Sequence, residues 1–143
     1  MSVPPRVSLA TLGVADVARS TEFYESLGWR LSPASVPGVV SFFHTAGGLL
    51  SLVAADHLAA DTNLPPAPAG FRGTMLAINV DSPAAVDEAL RAVVRAGATL
   101  VKAGGSAEWG GYLGYFTDPD GHLWEITYNP GWPLDDREIP RLP

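Results

Sequence analysis

Tyr115-Phe116-Thr117-Asp118-Pro119-Asp120-Gly121-His122-Leu123-Trp124-Glu125-Ile126-Thr127-Tyr128 contains a hard turn followed by a strand that carries a single carboxylate. Pro119 presets φ for a type I turn, Asp118 can bond back to the backbone, and Gly121 accepts φ > 0. Aromatic and β-branched residues on both sides predict two antiparallel strands joined there. In the second strand Leu123, Glu125 and Thr127 share one face, and Trp124, Ile126 and Tyr128 share the other. Strand interiors are poor in Glu. Either the Glu125 face meets solvent or the carboxylate has a task.

Working outward from this stretch, the chain reads as a repeat, and the repeat sets the architecture. The first unit opens with an apolar strand, Val7 to Val14. Asp16 follows as a helix N-cap, then apolar positions Val17, Phe23, Tyr24 and Leu27, with Gly28 as the stop. The second opens with Met75 to Val80, with Asp81 or Ser82 as cap and Pro83 in the first helical turn. Val86, Ala89, Leu90 and Val93 then recur at helical spacing up to Gly97. Three strand-like runs follow each glycine. They are Trp29 to Ser32, Val39 to Thr45 and Gly48 to Ala54 in the first unit, and Thr99 to Lys102, Tyr112 to Thr117 and His122 to Asn129 in the second. The Gly-Gly pairs at 47–48, 104–105 and 110–111 read as hairpin turns. The expected organisation is one domain: module one at 6–55, a Pro/Ala-rich connector at 56–72, module two at 73–129 and a tail at 130–143. Pro65, Pro66 and Pro68 argue against helix in the connector. The tail, with four prolines, reads as an irregular wrap or arm, and its Asp135-Asp136-Arg137 as a solvated charge pair.

Composition excludes several functions. With no cysteine among 143 residues, disulfides, thiolate zinc sites and cysteine nucleophiles are out, which fits a cytoplasmic protein. Met-Ser-Val-Pro-Pro-Arg lacks the apolar run of a signal peptide, and no apolar stretch reaches bilayer length. A net charge of −6 without a Lys/Arg cluster argues against nucleic acid and anionic membranes. No Ser-His-Asp order, phosphate-binding glycine loop or HExxH is present. His44, His57 and His122 each stand without a second His or a carboxylate at ligand spacing and read as surface or structural. A small-molecule or protein partner remains.

The two βαβββ units, the opening Leu12-Gly13-Val14-Ala15-Asp16-Val17-Ala18-Arg19-Ser20-Thr21-Glu22-Phe23-Tyr24 and the closing Tyr115 to Glu125 run resemble the vicinal oxygen chelate superfamily. That superfamily includes glyoxalases, extradiol dioxygenases, fosfomycin-resistance enzymes and bleomycin-binding proteins. The resemblance covers residues 6 to 129. It implies an α+β fold in which two modules form a curved mixed sheet around a cavity, with helices on the outer face. It also implies metal ligands on the first and fourth strands of each module, usually two histidines and two carboxylates. The corresponding positions here are Leu9, Ser51, Met75 and Glu125. Of these only Glu125 matches. Leu9 has no donor atom, Met75 is a soft ligand unsuited to Mg, Mn or Fe(II), and Ser51 is a weak oxygen donor. No His, Asp or Glu lies in the other three strands to rescue the site by a register shift. The expectation is therefore no metal and no cofactor.

By strand parity the resemblance's cavity would be lined by Leu9, Thr11, Ser51, Met75, Asn79, Leu123 and Glu125, with Trp109 and Tyr112 adding aromatic surface. Tyr115 and Phe116 point to opposite faces, so at least one is a core residue. Glu125 can act as counter-charge to a cation, as general base in metal-free chemistry, or as a hydrogen-bond acceptor for Ser51 or Thr11. Two main readings follow, with a non-catalytic interaction module as a third. One is a binding protein similar to the bleomycin-resistance branch that sequesters a small aromatic or cationic compound. The other is an enzyme: a metal-independent lyase, isomerase or epimerase using Glu125, or a glyoxalase- or dioxygenase-like enzyme with a relocated metal site. Short members of the superfamily imply a homodimer.

Overall fold

The structure is a computed structural model that describes residues 3–66 and 69–143. Readings that rest on Met1, Ser2 or Pro68 lie outside the described residues. The chain divides into two compact units, Met1–Pro66 and Ala67–Pro143, and both are α+β.

The first unit runs β1 (Leu9–Val14), α1 (Val17–Ser26), β2 (Val40–Thr45), β3 (Gly48–Ala54) and α2 (Ala55–Thr62), with sheet order β1-β3-β2. β1 and β3 are parallel, with Leu9 opposite Leu49 and Thr11 opposite Ser51; β2 is antiparallel to β3. The Asp16 carboxylate accepts the Arg19 N–H at 3.1 Å and so starts α1. That helix lays Val17, Phe23 and Tyr24 on the sheet face made by Val14, Phe43, Leu50 and Leu52, all buried. The Tyr24 ring meets Phe23 edge-on at 4.9 Å and Phe43 at 5.9 Å. Each large side chain buried this way contributes about 1.5–3 kcal/mol.

Two polar groups enter that core differently. Ser41 is buried but shares a 2.6 Å hydrogen bond with Thr21. Ser20 is fully buried and its hydroxyl has no hydrogen-bond partner among the described residues. Removing an unsatisfied buried hydroxyl releases its desolvation penalty. Ser20→Ala is therefore expected to leave the thermal midpoint unchanged or raise stability by about 1 kcal/mol; a clear loss would show that the hydroxyl is paired in solution.

The second unit runs β4 (Leu76–Asn79), α3 (Pro83–Arg95), β5 (Thr99–Ser106), β6 (Tyr112–Thr117) and β7 (Leu123–Tyr128), with sheet order β4-β7-β6-β5. Of the two candidate caps it is Ser82 that accepts, from the Ala85 N–H at 3.1 Å. Val86, Leu90 and Val93 of α3 are buried on the same side as Phe116, Trp124 and Ile126. The Phe116 and Trp124 rings stack, 6.2 Å apart and 2° from parallel.

Several expectations need correction. Trp29 to Ser32 is no strand: it forms a single bridge, Leu31 to Phe43. Pro33, immediately after, brings no N–H to extend the ladder. The connector does hold a helix, α2, which ends at Thr62; Asn63 caps it in the left-handed conformation at φ 59°. Pro65 and Pro66 thus lie beyond the helix and mark its end rather than forbid it. Gly104-Gly105 is no hairpin turn but lies inside β5, where the pairing register shifts between Lys102 and Gly105.

In the tail, backbone bonds to Asp135 add to its neighbouring charges. Asp135 Oδ1 accepts the N–H groups of Arg137 at 2.8 Å and Ile139 at 3.0 Å. Those bonds, Ile139's first, and the nearby Arg141 and Arg137 charges hold its carboxyl below the ordinary aspartate value. The Asp135 N–H bonds Ile139 O, and the Glu138 N–H bonds Asp135 O. The same pattern occurs at Asp118. Its Oδ1 accepts from Asp120 and His122, its N–H bonds His122 O, and the Gly121 N–H bonds Asp118 O. The two turns are one device used twice, with Gly121 at φ 83° in one and Glu138 at φ 62° in the other. A side chain in that left-handed region is strained. Glu138→Gly is expected to stabilise the tail turn by about 0.5–1 kcal/mol, visible as slower amide exchange at Ile139. Unchanged exchange would mean that the turn carries no strain.

Candidate functional site

Each sheet has one face under its long helix and one face turned away from it. Residues paired across a ladder share a face, so the registers give each face directly.

In the first unit the open face carries Leu9, Leu49 and His44 on one rung and Thr11, Ser51 and Phe42 on the next. Thr11 and Ser51 share a 2.7 Å hydrogen bond between their hydroxyls, and Ser51 is only 2% exposed. Leu9 is 41% exposed. The far end of this face is covered: a Cβ on Gly13 would sit 3.1 Å from Ala55 Cα and 3.5 Å from Leu58 of α2. Parity had placed Leu9, Thr11 and Ser51 together, and the structure does so. Phe42 and His44 went unassigned because β2 was not read as part of the lining; its antiparallel alternation with β3 was the available signal.

In the second unit the open face carries Ala77, Glu125, Tyr115 and Lys102 on one rung and Asn79, Thr127 and Leu113 on the next. Leu123 lies two residues before Glu125 on the same face, and Met75, 40% exposed, directly precedes β4. Tyr115 is the cross-strand neighbour of Glu125. Burial first, and then hydrogen bonding toward the Glu125 carboxylate and its charge, push the phenol above its ordinary pKa. The Thr127 hydroxyl is buried with no hydrogen-bond partner among the described residues. Sequence reasoning left Tyr115 between core and surface. Its offset from Glu125 across the Asp118 turn was the signal that would have paired them.

Two other residues are placed differently. Tyr112 lies on the helix side, its hydroxyl donating to Asp87 of α3 at 2.9 and 3.1 Å, which raises its pKa. It does not share the Glu125 face. Trp109 stands in the β5–β6 loop, 55% exposed, with its ring folded over Gly111.

The ligand positions of the resembled metal enzymes can be tested on donor chemistry. Asp16 and Ser82 cap their helices seven residues after Leu9 and Met75, and Ser51 and Glu125 occupy matching places on β3 and β7. The two halves are therefore in the same register, and three of the four positions present an alkyl, a thioether and a hydroxyl. A hard divalent cation needs several oxygen or nitrogen donors, so these residues do not fit one. Among the described residues no three His, Asp or Glu side chains gather at one point. One expectation does change: His57 is paired with a carboxylate, Asp61 Oδ2 at 3.3 Å, one turn along α2. Reading the connector as non-helical hid that spacing. Both groups are exposed, and the pair carries little energy. No helix among the described residues is long and apolar enough to cross a membrane.

Comparison with known proteins agrees with this geometry. A glyoxalase-related enzyme from Fulvimarina pelagi is 30% identical over 96% of this chain and 98% of its own, with a TM-score of 0.84. A glyoxalase/bleomycin resistance protein/dioxygenase from Nocardioides is 27% identical over 90% of this chain and 85% of its own, with a TM-score of 0.72. A lactoylglutathione lyase from Agrobacterium tumefaciens, 21% identical over 93% of this chain and 100% of its own, shares the fold with a TM-score of 0.69. No curated protein sequence gives a match. Residues 6–126 match the sequence pattern of a family, and the chain belongs to it: the Glyoxalase/Bleomycin resistance protein/Dioxygenase superfamily.

Proposed function

We propose that the protein binds a small cationic or aromatic compound on the open face of its second sheet, with Glu125 as counter-charge and without the divalent metal of its metal-dependent relatives. One observation carries this reading. Glu125 is the carboxylate of a face that also carries Ala77, Leu113, Leu123, Thr127 and Asn79, with Tyr115 as its cross-strand neighbour and Lys102 beyond it. Such a surface, apolar with a few polar groups, suits a small organic ligand. An aromatic edge beside a carboxylate suits one that is both flat and cationic.

Two probes of opposite charge test it. Ethidium, a flat cation, is expected to bind with a fluorescence change, and anilinonaphthalene sulfonate, a flat anion, at least about tenfold more weakly. Equal binding of both would leave Glu125 without the role assigned. Metal content by inductively coupled plasma mass spectrometry, after exposure to Ni, Zn, Mn and Fe(II), is expected to stay far below one per chain. Stoichiometric metal would overturn the metal-free reading.

The cross-strand pairing of Tyr115 with Glu125 also favours a second reading, in which Glu125 is the general base of a metal-independent lyase, isomerase or epimerase. One variant, Glu125→Gln, separates the two. An enzyme would keep affinity for its substrate and lose turnover, whereas a cation binder loses affinity.

A further inference from the structure

We propose that Thr127 and Asn79 form a neutral polar subsite that selects flat cations carrying a carbonyl oxygen about 7 Å from the charge; this rests on the reading of Glu125 as counter-charge. Among the described residues two buried hydroxyls lack a hydrogen-bond partner, those of Ser20 and Thr127. They stand in different places. Ser20 lies on α1, sealed in the core of the first unit. Thr127 is 5% exposed and belongs to the sheet face turned away from α3, one rung beyond Glu125. Its backbone is served, since the Val80 N–H donates to its carbonyl at 2.9 Å. Only the hydroxyl is orphaned. Across the ladder it meets Leu113, whose side chain has no polar atom, and Asn79, whose carboxamide offers two N–H donors and an acceptor oxygen.

A hydroxyl buried without a partner bears its full desolvation cost, and native proteins rarely leave one so. Valine has nearly the same shape, suits a strand as well and carries no such cost. A purely structural position would favour it. Asparagine is likewise poor in strand interiors, yet Asn79 stands directly opposite. Strands allow threonine more than one χ1 well, so the hydroxyl can turn from the sheet to a group lying on the face. A ligand carbonyl there accepts from the Thr127 hydroxyl and the Asn79 amide together. A compound without that oxygen leaves the hydroxyl orphaned and binds more weakly.

Two cations of matched shape test this: para-acetylphenyl-trimethylammonium and para-ethylphenyl-trimethylammonium, which differ by one carbonyl oxygen. Their affinities would be measured by titration calorimetry for the native chain, Thr127→Val and Glu125→Gln. The native chain is expected to prefer the acetyl compound about fivefold to tenfold. Thr127→Val is expected to keep or raise the thermal midpoint and to cut that preference below about twofold, through the acetyl compound alone. Equal binding by the native chain, or a preference that survives Thr127→Val, overturns the subsite. Should Glu125→Gln bind both compounds as tightly as the native chain, the counter-charge reading fails, while a preference abolished by Thr127→Val still supports the subsite. Binding of neither compound overturns the subsite, and ethidium then judges Glu125 separately.

Discussion

Asp118→Ala is expected to destabilise the protein by roughly 3 kcal/mol, read as a lower urea midpoint at unchanged slope. Asp118 is only 2% exposed, and its Oδ1 accepts the backbone N–H groups of Asp120 and His122, both at 2.9 Å. Alanine leaves two backbone donors without their acceptor in a turn that cannot rearrange, because Pro119 and Gly121 already fix its path. Asn retains an acceptor oxygen and should lose less. The effect reaches function through register. Slipping β7 by one residue against β6 would carry Glu125 from the open face to the α3 side and Trp124 the other way. A loss below about 1 kcal/mol would mean that flanking strand pairing alone holds this hairpin.

Glu125→Gln should cost ethidium affinity about 30-fold, near 2 kcal/mol. Gln keeps the volume and an acceptor for the Tyr115 hydroxyl, so the hairpin and its core, Phe116 on Trp124, should stay intact. What disappears is the charge. The loss should shrink as salt is raised, since a half-buried ion pair is partly screened. Fluorescence titration across ionic strength reads both. An affinity that ignores the substitution would place the ligand elsewhere, with the Phe42 and His44 face of the first sheet as the next surface to test.

Much of the fold was legible because the signals were local. Asp16 and Gly28 bracket one helix, Pro83 and Gly97 the other, and strict alternation in β3, β6 and β7 fixed their faces. The family resemblance rested on these same residues. What went unread was decided by neighbours in space. Pro65 and Pro66 looked like helix breakers through the connector, yet α2 needs only Ala55 to Thr62, all before them. The backbone bonds of Asp135 require the chain to return at Ile139, which no window of composition shows. For the site, parity sufficed to gather Leu9, Thr11 and Ser51. Excluding Tyr112 required knowing that α3 brings Asp87 to its hydroxyl, and including Tyr115 required the register of β6 on β7.

Gly13 has a consequence for the size of anything the first sheet could hold. Because α2 rests where a side chain at Gly13 would be, the open face keeps just the rungs of Leu9 and Thr11 before the helix closes it. Two rungs span about 7 Å of strand. That is floor space for a single ring or a short alkyl segment, and a long guest would have to leave the sheet before reaching Ala55. A missing methyl group, rather than any polar contact, sets the length limit at that end.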